Sequence, residues 1–324
     1  MTRALLAAAA LLTCLGATAA AAEKLDSQDW LILGSVSADR QPDGNTLVMT
    51  GPKGAIVFDT GRHKDHSDKI EAVLKATGKP LVAIVNSHWH LDHVSGNPRL
   101  KAAHPGAQAW SSNAIDGALA GFLKRGLESN RAAIAGGKLS PAELDERRAA
   151  VATVEAGDAL RPDHVVTTSS RLTLAGRRFD LHLASRAATE ADIWLYDPAH
   201  KRAIIGDLVT YPAPFLDTAC PQGWKAALAE VASTPFDTVI PGHGPIMDRP
   251  AFNAWRSAFE AFVDCAQGQA PLDRCTAAWL AYARPLDLKA SGVDMNDAAD
   301  YAAYYADLLR RHVLDGNCKA IGAG

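Results

Sequence analysis

The chain has 324 residues, 33 Lys and Arg against 36 Asp and Glu, a formal net charge of -3, and 48% hydrophobic and 21% charged residues. That length and apolar content suffice for a sizeable buried core, in one large domain or two small ones. The near-neutral balance argues against nucleic acid as the partner, and the composition excludes a disordered chain.

Residues 1–22 set one cation, Arg3, before an apolar run from Ala4 to Leu15 and a tail of small residues with A-x-A sites ending at Ala19 and Ala22. This is the pattern of a secretory signal peptide, and the run falls short of the ~20 residues that cross a bilayer. The mature chain is therefore expected from about Glu23, periplasmic or secreted. No later stretch predicts a membrane span, because charge, Gly or Pro interrupts each one. Removal of the signal also removes Cys14 and leaves Cys220, Cys265, Cys275 and Cys318, an even set that reads as two disulfides in an exported protein. Cys265 and Cys275 flank a short loop between two helical patterns and are paired with each other; Cys220 and Cys318 are left as the second pair.

Strands are predicted over Trp30–Val36, Asn45–Thr50 and Ala55–Asp59, separated by Pro42-Asp43-Gly44 and by Gly51-Pro52-Lys53-Gly54. Asp65–Thr77 has helical spacing, with Ile70, Val73 and Leu74 on one face. Leu81–Val85 is a continuous apolar strand of the kind covered on both faces. Helices follow over Asn113–Ala135 and Pro141–Val154, the second opened by Ser140 as N-cap, Pro141, and Glu143 in the first turn. Strands return over Val165–Thr168, Arg171–Leu174, Phe179–Ala184, Ile193–Tyr196 and Arg202–Ile205. A helix over Gly223–Ala232 and a strand over Thr238–Ile240 come next. Helices are then predicted over Phe252–Cys265, Leu272–Ala283 and Ala298–Leu314. Two β-rich blocks, each followed by helices, suggest two αβ halves around one sandwiched core, with a helical insertion from Ser111 to Asp158 between them.

The chemistry concentrates after the strand Leu81–Val85. His88, His90, Asp92 and His93 put three imidazoles and a carboxylate within six residues, a donor set that suits Zn²⁺ and similar divalent ions. A turn at a strand end can aim alternate side chains at a common point.

His88-Trp89-His90-Leu91-Asp92-His93 resembles the H-x-H-x-D-H motif of the metallo-β-lactamase fold superfamily. In the family's order follow Asp59-Thr60-Gly61, Gly206-Asp207 after a strand, and Pro241-Gly242-His243-Gly244 after another. The resemblance runs from about Trp30 to Pro250. It implies an αββα four-layer sandwich over residues 23–250, metals at one edge of the two sheets, and a helical extension over 251–324. It further implies two metal sites, with His88 and His90 in the first and Asp92, His93 and His243 in the second. Asp207 would bridge them or orient a water, and Asp59 would steady a ligand His. The family takes a third His for the first site from a loop of the form A-H-T-x-G-D. In the matching stretch, Arg186 to Trp194, Ala188 stands at that place. One firm zinc and a second weak or absent one are expected. His63, His66 and Glu190 are candidates to complete the first site, whereas His182 lies roughly 20 Å away along an extended strand. Arg186 could supply a fixed cation there instead. His104, His164, His200 and His312 have no partners at ligand spacing, Trp89 is expected to pack beneath the metal loop, and Tyr211–Leu216 is a candidate apolar wall.

The resemblance implies an exported zinc-dependent hydrolase of a small-molecule substrate, with Asp92 and Asp207 in the catalytic positions and an ester, lactone, thioester, sulfate ester or amide-type bond as target. Ala188 motivates the rival, a catalytically impaired metal-binding or scaffold protein on the same fold.

Overall fold

The computed structural model describes residues 22–37 and 40–311. The proposed signal segment, apart from Ala22, and the pairing of Cys220 with Cys318 lie outside those residues.

Two sheets face each other. The first runs in the order Glu23–Lys24, Asp29–Ile32, Thr46–Gly51, Gly54–Phe58, Leu81–Val85, Gln108–Ser111, His164–Val165. Its pairings are antiparallel up to Gly54–Phe58 and parallel beyond. The second runs Ser170–Leu174, Arg177–Ser185, Ala191–Asp197, Arg202–Gly206, Thr238–Pro241, Met247–Asp248, with one parallel pair, Arg202–Gly206 beside Thr238–Pro241.

Side-chain alternation along these strands makes three cores, because successive residues point to opposite faces. Leu47, Met49, Phe58 and Val85 meet Phe179, Leu181, Ile193 and Leu195 between the sheets. Val48, Val57 and Ile84 point the other way, under Ile70, Val73 and Leu74 of the helix Lys64–Thr77 and Leu100 of the helix Asn97–Ala103. Trp194, Tyr196 and Ile205 lie under Trp224 and Leu228 of the helix Pro221–Ser233 and under Trp255, Phe259 and Trp279 of the two helices after it. The layers are therefore α, β, β, α, as the motifs implied.

The C-terminal helices, Arg249–Gln267, Leu272–Ala283 and Ala298–Arg310, share this last core. The first begins three residues before the expected start, because Asp248 caps it by accepting from the Ala251 amide and Pro250 fits its first turn. Cys265 and Cys275 form the expected disulfide, joining its last turn to the next helix.

Three local expectations need correction. The strand expected over Trp30–Val36 ends at Ile32, and Ser35–Ser37 pairs instead with Arg40–Asp43 in a separate two-stranded sheet. The single helix over Asn113–Ala135 is two, Ala114–Ala120 and Phe122–Ala135, broken at Gly121 with φ -119° and ψ -96°. The strand expected over Val165–Thr168 is only His164–Val165, at the edge of the first sheet. The helix Pro141–Glu155 starts as expected, with Ser140 and Glu143 exchanging reciprocal capping bonds.

Candidate metal centre

Four chain ends converge at one edge of the sandwich. The strand Gly54–Phe58 ends in Asp59, held at φ 57°, whose amide donates to Val85 O. Its carboxylate accepts from the Ser87 amide and the Ser87 hydroxyl, each at 2.7 Å, and bonds His93 Nδ1 at 2.8 Å. The strand Leu81–Val85 runs through Asn86 into a turn bearing His88 and His90, then the short helix Leu91–Val94 bearing Asp92 and His93. Asn86 Nδ2 donates to His93 O at 3.0 Å and so closes that turn.

The strand Arg202–Gly206 delivers Asp207, and Thr238–Pro241 delivers His243. Gly206, at φ 51°, and Gly242 let these chains approach: a Cβ on Gly206 would meet Ser87 Cβ at 2.4 Å, and one on Gly242 would meet Asp207 Oδ1 at 2.0 Å. Asn45 ties the loop down, its Nδ2 donating to Pro241 O at 3.0 Å and Gly244 O at 2.9 Å.

The resulting geometry is divided by Asp207. Its Oδ1 lies 3.2 Å from His93 Nε2 and 3.6 Å from His243 Nε2. Its Oδ2 lies 3.5 Å from His88 Nε2 and 4.0 Å from His90 Nδ1. Asp92 Oδ2 stands 3.1 Å from His243 Nε2 and 3.6 Å from His93 Nε2. Burial opposes ionisation of both carboxylates, yet the surrounding imidazoles, His93 foremost, hold both well below the ordinary carboxylate range. Burial likewise opposes charging of His93, but Asp207, Asp59 and Asp92 outweigh it and raise its pKa well above the usual value. His88 goes the other way, pushed down by burial and then by His93 and His90.

Five buried polar atoms here have no hydrogen-bond partner: His88 Nε2, His93 Nε2, His243 Nδ1, His243 Nε2 and Asp207 Oδ1. Buried polar groups are nearly always satisfied, so orphans of imidazole and carboxylate type converging within a few ångströms fit a divalent cation. Asp92, His93 and His243 form one group with ligand atoms mutually in range, and His88, His93 and Asp207 form another.

The substitutes considered for the absent third His are engaged elsewhere. His63 bonds Asp43 Oδ2 at 2.7 Å and Glu146 at 2.9 Å, His66 Nε2 bonds Thr46 Oγ1 at 2.8 Å, and Glu190 accepts from Trp89 Nε1 at 2.8 Å. His182 bonds Glu230 and stacks on Trp194 at 3.7 Å. Ala188 is buried, and its carbonyl accepts from Thr218 Oγ1 at 3.1 Å. Of the histidines without partners at ligand spacing, His104 bonds Glu71, His164 stacks on Trp110 and His200 bonds Asp197. His312 lies outside the described residues. Asp26, Asp29 and His200 also cluster, but Arg177 pairs with Asp29 and Asp197 and Arg202 with Asp26 and Asp29, so that group is already balanced by cations.

The family model described as "Metallo-beta-lactamase superfamily" matches residues 40–243. The chain belongs to that superfamily. Among solved structures, a metallo-beta-lactamase from Pontibacter korlensis superposes with a TM-score of 0.53 at 19% identity, over 74% of this chain and 98% of that one. The DIM-1 metallo-beta-lactamase does so at 0.51 and 18%, over 74% and 96%. Both establish the fold. A linear primary-alkylsulfatase of a Pseudomonas species is 27% identical over 222 residues, a match that takes in 62% of this chain and 42% of that relative, so less than half of its length is spanned.

Beside the donors this superfamily member has a cavity of about 430 Å³. His90, Asp92 and Asp207 form its floor. Phe122, Leu123 and Leu127 from the insertion line it, as does an aromatic group of Phe215, Tyr301 and Tyr305. Arg62 opens onto it, 3.9 Å from Asp92 Oδ1. Trp89, expected beneath the metal loop, is buried yet also lines this cavity and meets Phe122 at 5.5 Å. Of the expected wall Tyr211–Leu216, only Phe215 lines the cavity; Tyr211 is buried, its hydroxyl on Tyr282.

Sequence reasoning missed Thr218, Arg62, the C-terminal tyrosines and the Asp43–His63–Glu146 chain. No local motif marks them, since each matters through a partner far away in sequence.

Proposed function

We propose that the protein is an exported, zinc-dependent hydrolase of a small ester-type substrate with an apolar chain. The convergence of unpartnered His88, His93, His243 and Asp207 atoms carries this reading. Asp92, His93 and His243, with Asp207 Oδ1, would hold a firm metal. His88, His90 and Asp207 Oδ2 would hold a weaker one, because Ala188 offers no side-chain donor. A divalent ion there supplies Lewis-acid polarisation and makes a coordinated water acidic near neutral pH. Asp92 lines the cavity and orients the attacking water, Asp207 holds the two halves in register, and Arg62 attracts an anionic substrate group. The apolar walls favour a hydrocarbon chain, and the alkylsulfatase relative makes a sulfate ester the first substrate to try. The Cys265–Cys275 disulfide supports export, since such bonds persist in oxidising compartments.

Ala188 favours one rival reading, a metal-binding scaffold without turnover. Metal analysis of the mature protein, with alkyl sulfate, aryl ester, lactone and β-lactam substrates, separates them. The hydrolase reading expects one tight zinc, a weaker second, and turnover abolished by chelation and by Asp92→Ala. Zinc bound with no metal-dependent turnover on any substrate would leave the scaffold; no zinc bound at all would sink both.

A further inference from the structure

We infer that Thr218 is a positioning residue that sets the tautomer of His90 and so aims the His88/His90 half of the metal face. The geometry stands by itself; its purpose rests on the metal-site reading above.

Thr218 Oγ1 donates to Ala188 O at 3.1 Å and lies 2.9 Å from His90 Nε2. A carbonyl can only accept, and a hydroxyl has a single proton. With that proton on Ala188 O, the oxygen turns a lone pair toward His90, so Nε2 must carry hydrogen. In the uncharged imidazole the free lone pair is then on Nδ1, the nitrogen that faces Asp207 Oδ2.

The same logic operates on His88 with the nitrogens exchanged. Ser87 Oγ donates to Asp59 Oδ2 at 2.7 Å and lies 2.9 Å from His88 Nδ1. That bond puts hydrogen on Nδ1 and leaves the Nε2 lone pair facing Asp207 Oδ2. Two hydroxyls, each with its proton committed to an acceptor, thus turn opposite nitrogens of two histidines toward one point. Thr218 reaches its acceptor at position 188, where the superfamily resemblance led one to expect a histidine side chain. This chain uses the main-chain carbonyl of that residue instead, to orient a ligand rather than to be one.

The test compares Thr218→Val, which keeps the shape and removes the hydroxyl, with Thr218→Ser, which restores it. Two-bond ¹H–¹⁵N spectra of metal-free protein at pH 8, with the His90 ring assigned through His90→Asn, read the tautomer directly. The Nε2–H form is expected in the wild type and Thr218→Ser, and its loss in Thr218→Val. A wild type in the Nδ1–H form, or a Thr218→Val spectrum unchanged at His90, overturns the inference. Zinc titration against a chelator is the second arm: Thr218→Val should weaken the weaker site by about 10- to 100-fold, leave the tighter one unchanged, and be rescued by Thr218→Ser. Equal weakening of both sites with lowered unfolding stability would mean a general structural role and also overturns it. A wild type with the Nε2–H tautomer that binds no zinc removes the metal-site reading while still supporting Thr218's hold on His90. Should Thr218→Val not fold, Thr218→Ala makes the same comparison.

Discussion

Asp59 shows how much one side chain can organise at the residue scale. Its carboxylate receives the Ser87 amide, the Ser87 hydroxyl and His93 Nδ1, so it fixes the turn that bears His88 and the ring that serves the Asp92/His243 side. Burial raises its pKa, and His93 is the main force pulling it back down. Replacement by Asn keeps the shape but removes the charge that favours His93 Nδ1–H. Asp59→Asn is expected to weaken zinc binding by about 10- to 100-fold, read by competition with a chromophoric chelator. Unchanged affinity would show that His93 is held by its packing alone.

The paired helices Phe122–Ala135 and Pro141–Glu155 are the least buried α-helices among the described residues. The first buries only Leu123, and the second buries no residue. Glu146 of the second helix reaches back to His63 Nε2, while His63 Nδ1 holds Asp43. Asp43 also accepts the Arg62 and His63 amides and faces Arg40 and His66, so it is well satisfied without the imidazole. Burial opposes charging of His63, but Asp43 and then Glu146 prevail, raising its pKa above 6.5. A raised histidine contributes its full stability below the unfolded value and loses it as pH climbs through the folded one. Neutral His63 has one N–H for two carboxylates, and Glu146, with less other support, is the one released. Amide exchange across residues 122–155, corrected for intrinsic rates, should therefore rise from pH 6 to pH 9. Glu146→Ala should be fast at both ends, and equal protection of both proteins at pH 6 would dismiss the clamp.

These cases show what was legible in the sequence. His88, His90, Asp92 and His93 stand out because four candidate donors crowd one strand end, and Asp207 and His243 stand out through the superfamily resemblance; the strands themselves show as apolar runs such as Leu81–Val85. The split of Asp207 between its neighbours, the bond from Thr218 across 128 positions and the one from Glu146 across 83 could not be read. They depend on how two sheets and an insertion are brought together, which no local pattern encodes. Gly121, by contrast, is a helix break that the sequence itself displays.

Across the whole molecule, the two halves are joined by polar ties as well as by the apolar middle. Asn45 bonds the His243 loop to the first sheet at one end, and Arg177 and Arg202 bind Asp29 and its neighbours at the other. The Cys265–Cys275 bond closes a loop of separation 10 between two helices of the outer core. By loop-closure entropy, removing it with Cys265→Ser and Cys275→Ser together should cost about 3 kcal/mol in denaturant unfolding. A loss below about 1 kcal/mol would mean that Phe262 and Trp279, packed 5.9 Å apart, already hold those helices together.

The cavity draws its floor and its walls from different stretches of chain. The candidate donors sit at strand ends and on the short helix Leu91–Val94, whereas Phe122, Leu123 and Leu127 belong to the insertion and Tyr301 and Tyr305 to a helix beyond the family-matched residues 40–243. On the proposed reading, reactivity and selectivity would thus be modular. Substitutions in the wall helices would retune which molecule reaches His90, Asp92 and Asp207 without disturbing a single candidate donor.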